Sequence, residues 1–186
     1  MNDQFNISFD KQILLLKRTG FDGFALDCDS KDDEIAPLIE LGKKENMFID
    51  YIHAPFGGSA DMWKDGADGD AVLRNLIDIA EICAMHEIPS LVVHTFIGFY
   101  DENIPTRIGI DRYGALVKRA AGLGVKIAFE NTEGEEYLFA LMDAFRGEKY
   151  AGFCWDTGHE LCYNRGKDLM AMFGDRLFVT HLNDNL

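Results

Sequence analysis

The stretch Gly152-Phe153-Cys154-Trp155-Asp156-Thr157-Gly158-His159-Glu160 carries the pattern on which the reading of the fold turns. A short apolar run stops at an acid, and polar residues competent for chemistry follow at once. The same event recurs along the chain. Apolar runs end at Asp27, His53, His94, Glu130, Asp156 and His181, at intervals of 26, 41, 36, 26 and 25 residues. Amphipathic segments fill the intervals. Strands that alternate with helices in this way define an α/β protein with a mostly parallel sheet built from repeated βα units.

The predicted strands are Phe24–Asp27, Phe48–His53, Ser90–His94, Lys126–Glu130, Gly152–Asp156 and Phe178–His181. A seventh, near Phe5–Ser8, is short and polar. Helical patterns cover Lys11–Arg18, with Gly20 as its C′ glycine, and Asp33–Glu45. The strongest is Ala71–Met85, where Val72, Leu73, Leu76, Ile77, Ala80 and Cys83 recur at helical spacing and Asp70 is placed to cap the start. Arg112–Ala121, Glu135–Phe145 and Lys167–Phe173 complete the set. Gly57–Gly69 reads as a Gly-, Asp- and Ser-containing loop, of a length that is often functional in compact domains.

The 186 residues are 47% hydrophobic and 12% aromatic with four prolines, which is the composition of a packed globular chain, and a single domain over 1–186 is the expectation. Eighteen basic against 32 acidic residues give a net charge of −14, the opposite of the basic footprint that tracks nucleic-acid phosphates. No apolar stretch reaches the roughly 18 to 20 residues that span a bilayer, and Met1–Asp10 lacks the features of a signal peptide. A cytoplasmic location with no membrane partner is therefore expected. Cys28, Cys83, Cys154 and Cys162 show no C-x-x-C or disulfide-framework spacing and are read as reduced thiols, mostly small core residues.

Two architectures use repeated βα units, a doubly wound open sheet and a closed (β/α)₈ barrel. The length suits the open sheet. Its nucleotide-binding form is unsupported, since neither G-x-G-x-x-G nor G-x-x-x-x-G-K-[ST] occurs.

The chemistry is concentrated where the apolar runs stop. A lone His closing a strand is ordinarily a hydrogen-bonded structural residue, and an Asp or Glu there ordinarily caps the next helix. Five strand ends that all carry metal-competent groups (His53, His94, Glu130, Asp156 with His159, and His181) are not explained by capping alone. In a barrel such ends converge on one face, where active sites are built. Imidazole with carboxylate suits Zn²⁺, Mn²⁺, Fe²⁺ or Co²⁺, whereas a Mg²⁺ site uses more carboxylate and water. His86 stands apart, at a helix end where it complements the dipole. Asp27 and Asp29 are read as capping or solvated, Asp184 as positioning a neighbour or capping, and Glu133, Glu135 and Glu136 as a solvated run. Trp155, Phe56 and Phe96, beside the proposed ligands, form either an apolar wall for a sugar face or core.

Taken in order, "GFDGFALD", "IHAPF", "LVVHTF", "IAFENT", "GFCWDTGHE" and "THLNDN" resemble strands two to seven of the xylose isomerase-like TIM-barrel superfamily of sugar and sugar-phosphate isomerases and epimerases, which also contains endonuclease IV. The resemblance runs through essentially the whole chain. It implies a (β/α)₈ TIM barrel of about seven βα units, incomplete because the strand-eight glutamate of the family would lie beyond Leu186. It also implies that Glu130, Asp156 and His181 bind a divalent metal (Mn²⁺, Zn²⁺, Co²⁺ or Mg²⁺), that Glu130 is an acid/base carboxylate, and that His53, His94 and His159 lie near the substrate. The implied activity is metal-dependent isomerisation or epimerisation of a small sugar, sugar phosphate or polyol by proton transfer at carbon, with a homo-oligomer allowed. The competing implications are an endonuclease IV-like zinc phosphodiesterase on abasic DNA and a non-catalytic metal-binding fragment. With one acid/base carboxylate missing, the 186 residues alone are expected to be catalytically impaired.

Overall fold

A computed structural model describes residues 7–27, 32–99 and 104–183. Strands β1 (Gly23–Asp27), β2 (Phe48–His53), β3 (Ser90–His94), β4 (Lys126–Glu130), β5 (Ala151–Asp156) and β6 (Leu177–His181) form one sheet in the order β1-β2-β3-β4-β5-β6, and every neighbouring pair is parallel. Helices α1 (Phe9–Arg18), α2 (Asp32–Lys44), α3 (Ala67–Met85), α4 (Arg107–Leu123), α5 (Glu135–Ala144), α6 (Thr157–Tyr163) and α7 (Leu169–Phe173) lie before and between the strands. A sheet whose spatial order repeats the chain order has no switch point, so the doubly wound alternative is excluded.

The sheet is strongly curled. The His53 and His181 rings, on β2 and β6, stack with centroids 5.6 Å apart. In a flat sheet those strands would be about 19 Å apart, four spacings of roughly 4.8 Å. The six strands therefore form a partial TIM barrel. Of the weak seventh strand predicted near Phe5–Ser8, Phe5 and Asn6 lie outside the described residues, while Ile7 and Ser8 lead into α1 without pairing.

Period-two alternation sorts the strands into two faces. Leu91, Val93, Ile127, Phe129 and Phe153 join the large core shared with the helices. Val92, Ala128, Cys154 and Val179 form a separate small cluster on the concave face, with Tyr51 and Phe178 against it. His94, Glu130, Asp156 and His181 each stand two residues beyond a member of that cluster. The alternation that buries Val92 and Ala128 thereby directs the strand-final residues to the mouth of the same concave face.

The helices depart from expectation at their ends. The helix predicted from Ala71 begins at Ala67, and Asp70 is not its cap; its carboxylate pairs with Arg112. The helix predicted from Arg112 begins at Arg107, where the Thr106 hydroxyl accepts from the Gly109 N–H. The expected loop 57–69 contains a 3₁₀ turn, Ser59–Trp63, and the first residues of α3. The loop is held by Arg112, which donates to the carbonyls of Asp61, Met62, Lys64 and Gly66. Helix α6 has no counterpart in the sequence reading. Gly20, at φ +93°, does follow α1 as the C′ glycine. Cys83, Cys154 and Cys162 are free thiols, and Cys28 lies outside the described residues. No helix among the described residues is long and apolar enough to cross a membrane.

Candidate metal and active centre

Glu130 is the hub. Its side chain is 1% exposed, and four imidazoles point at it, three from strand ends and His159 from the first turn of α6. His53 Nε2 lies 3.0 Å and His94 Nε2 3.1 Å from Oε2. His181 Nδ1 lies 3.0 Å and His159 Nδ1 3.3 Å from Oε1. Register makes this meeting possible, with His94 paired to Glu130 on β3 and β4, and Asp156 paired to His181 on β5 and β6.

Asp156 sits on the His181 side. Its Oδ1 accepts the His159 N–H at 2.7 Å and so caps α6, while Oδ2 accepts from Asn183 Nδ2 at 2.8 Å and faces His181 Nδ1 at 3.5 Å. The Asp both caps a helix and faces the centre, the two roles that the sequence left as alternatives. His181 Nδ1 is thus shared between two carboxylates, but the three expected ligands do not form one donor set and are divided between two. The geometry also adds a neighbour. His53, Glu130 and His181 form one set whose donor atoms lie within 4.8 Å of one another, and Glu130, Asp156 and His159 form a second.

The donor set fits a divalent cation. Both ring nitrogens of His53 face acceptors: Nδ1 faces the Ala54 carbonyl at 2.8 Å and Nε2 faces Glu130. If Nδ1–H donates to Ala54, Nε2 meets the carboxylate either through an N–H of its own or across a cation. A ligand histidine typically shows this arrangement, with its other N–H fixed by a backbone carbonyl.

Electrostatics follow from these contacts. Burial by itself would raise the Glu130 pKa, but hydrogen bonds from His159, His181, His53 and His94 outweigh it and hold the carboxyl well below the usual carboxylate range. Asp156 is likewise held down, burial being outweighed by the His181 side chain and the His159 N–H. In return His181 and His159 are raised, because carboxylate contacts overcome the burial that would lower them. Burial pushes the Cys154 thiol up to about 12, so the sulfur 3.6 Å from His181 Nε2 stays protonated.

Sequence reasoning missed the layer behind the ligands. Asn131, fully buried, donates to the Asp156 carbonyl at 2.9 Å and accepts from the Asp156 N–H at 2.8 Å, while its own carbonyl faces His159 Nδ1 at 2.9 Å. Asn164 ties this unit to Thr132. A polar residue directly after a strand-final Glu was the available signal. Of the three aromatics named as wall or core, Phe56 stands at the site, its ring stacked on His94 at 5.0 Å. Phe96 is buried against Tyr137, and Trp155 packs on the main core and donates to Glu160. Glu133 and Glu135, read as solvated, take part in contacts: Glu133 accepts from the Gly98 N–H and Glu135 pairs with Lys167. Asp27 ends β1 exposed; Asp29 and Asp184 lie outside the described residues.

An all-parallel, singly wound, curled sheet with its polar cluster at the carboxyl ends of the strands defines the TIM-barrel class. The chain belongs to the xylose isomerase-like TIM-barrel family, whose sequence profile matches residues 13–186. Among solved structures it is similar to a D-allulose 3-epimerase from Methylomonas sp. in complex with D-allulose, with a TM-score of 0.76 at 17% identity over 95% of this chain and 66% of that one. It is similar to a 3-keto-D-glucoside 4-epimerase from E. coli, at 0.76 and 17% over 95% of this chain and 74% of that one. A Thermus thermophilus protein soaked with ZnCl₂ aligns at 0.65 and 23% over 81% of this chain and 63% of that one. An uncharacterized protein of Sinorhizobium fredii is 29% identical over 129 residues, 63% of this chain; the aligned part is 40% of that protein's length.

Proposed function

We propose that this chain forms the cation-binding part of an isomerase or epimerase that moves a proton at a carbon of a sugar or related polyol. One observation carries the reading: Glu130, Asp156 and His181 bring two carboxylates and one imidazole nitrogen together at adjacent strand ends, with His181 Nδ1 3.0 Å from one carboxylate and 3.5 Å from the other. Family membership supports it, as do fold relatives named as sugar epimerases.

When bound there, a divalent cation supplies Lewis-acid polarisation of adjacent substrate oxygens. Asn183 and the α6 N–H hold Asp156 in place. Glu130 is assigned the proton transfer. A carboxyl held this far down is a poor base, so an imidazole must release one of its oxygens before it can accept a proton. His53 and His94, both on Oε2, are placed to hand that proton on. His159 has the most exposed side chain of the four histidines and is assigned to contact substrate.

The test is solvent-deuterium incorporation at a sugar carbon with added Mn²⁺, over a panel of ketoses and their phosphates. Exchange that chelation abolishes is the expected outcome; no exchange with any member would sink the reading. With Glu130 as the single acid/base carboxylate assigned among the described residues, turnover is expected to fall short of that of an enzyme with a second such group by about 10² to 10⁴.

His53 and His94 on Glu130 also give a second reading, a zinc phosphodiesterase on abasic DNA. The charge of −14 opposes it, since DNA affinity comes from neutralising phosphates with Lys and Arg. Chelator-sensitive cleavage of an abasic duplex would reverse the order.

A further inference from the structure

The imidazole cluster is flanked by aromatic rings that the helical core does not cover. Phe56 follows β2 by three residues. Its ring lies nearly parallel to His94, at 5.0 Å and 17°, and edge-on to His53 at 6.3 Å, yet it remains 53% exposed. On the other flank, Tyr163 at the end of α6 leans on His159 at 5.6 Å and is 43% exposed. Phe99, 78% exposed, meets the Tyr163 ring edge-on at 5.9 Å. His94 and His159 are themselves 5.8 Å apart, so the rings form one continuous collar with the site. Exposed apolar surface gathered at a polar cleft marks a ligand surface.

The chemistry of the collar selects among ligands. Aromatic faces carry partial negative charge and attract the weakly positive C–H face of a sugar ring, whereas they repel an anion. Two carboxylates beside them have the same sign. Glu133 is bound by the Gly98 N–H next to Phe99, and Glu160 is bound by the Trp155 indole. The basic residues that follow Tyr163 are engaged elsewhere, Arg165 with the Leu161 carbonyl and Lys167 with Glu135 and the Phe139 ring. A phosphate group seeks charged donors such as a bidentate Arg, and among the described residues of this rim it would meet ring faces, two carboxylates and the single imidazole of His159.

We infer that the site takes an uncharged, unphosphorylated sugar, its C–H face laid against Phe56 and Tyr163. The inference rests on the proposed sugar chemistry and narrows its substrate class, with Phe56 and Tyr163 as specificity-determining residues.

The test uses the full chain with Mn²⁺ and titrates it calorimetrically with neutral ketohexoses and aldohexoses and with their 6-phosphates, alongside Mn²⁺ titrations of each variant. A neutral hexose should bind at least about tenfold more tightly than its 6-phosphate. Phe56→Ala and Tyr163→Ala should each weaken that binding by about three- to tenfold, the range expected of one aromatic contact, while Phe56→Trp retains it. Mn²⁺ affinity should be unchanged in all three. Equal or tighter binding of the phosphates, indifference to both alanine variants, or no sugar binding by the Mn²⁺-loaded chain would each overturn the inference. Deuterium exchange in the same samples separates it from the reading it rests on. Exchange that favours the 6-phosphate overturns the inference and leaves the isomerase reading standing. Selective, Phe56-dependent binding of a neutral sugar without exchange does the reverse.

Discussion

Two buried charges organise this molecule, and they are built from opposite materials. Arg112, 6% exposed, is surrounded by the carbonyls of Asp61, Met62, Lys64 and Gly66 and by the Asp70 carboxylate. Glu130, 1% exposed, is surrounded by four imidazoles. Backbone carbonyls have no proton to release and no second state to adopt, so Arg112 is a fixed bolt between α4 and the loop after β2. Imidazoles titrate, change tautomer and ligate cations, so equal burial leaves Glu130 responsive to its surroundings. A buried ion is structural or functional according to whether its partners can change state.

The largest expected effect is at Glu130. Glu130→Gln preserves volume and removes the charge that all four imidazoles address, and Mn²⁺ affinity should fall by more than the roughly 10- to 100-fold typical of losing an outer-shell partner. Calorimetric titration checks it, and near wild-type affinity would refute the role of this carboxylate as hub. Arg112→Met should act the other way round. Stability should fall by about 1 to 3 kcal/mol or more in denaturant titration, since the loop carbonyls lose their buried donor while Asp70, 57% exposed, is resolvated. Mn²⁺ affinity of the folded protein should stay within about twofold, as for independent sites. Loss of both together would break the distinction.

The pH profile sharpens the comparison further. Glu130 and Asp156 are held below their ordinary values of 4.5 and 3.8, so their contribution is complete above that range and lost as pH falls through the depressed values. His181 and His159 are raised above 6.5, so theirs is complete below 6.5 and lost as pH rises through the raised values. With chelator present, melting temperature should peak between about pH 4.5 and 6.5, and His181→Ala should flatten the alkaline limb. Arg112→Met should lower the whole curve without changing its shape. A curve that is flat from about pH 5 to 8 would contradict the proton sharing inferred at Glu130.

The smallest effect concerns the frame. Thr106 caps α4 and donates to the Trp63 carbonyl at 2.6 Å, and Thr106→Ala should cost about 1 kcal/mol without altering Mn²⁺ binding. Thermal unfolding and calorimetry on the same variant check both parts.

The sequence by itself determined the βα repeat and the residues that end the strands. Both are written in local pattern: short branched or aromatic runs, helical spacing in Ala71–Met85, and His, Glu or Asp where each run stops. Where a second local signal competed, the reading slipped. Asp70 looks like a cap, yet a charge 42 residues away claims it. Thr157–Tyr163 is too short and polar to show helical periodicity, and it forms because Asp156 caps it. Phe56, Phe96 and Trp155 were equivalent until burial separated them. Only the tertiary structure decided that three strand-final histidines and His159 of α6 meet on one carboxylate. Local sequence places a side chain on a face of its own strand, but the distance between strands is set by how the whole sheet curls. It is this curl that brings β2 and β6 within ring contact.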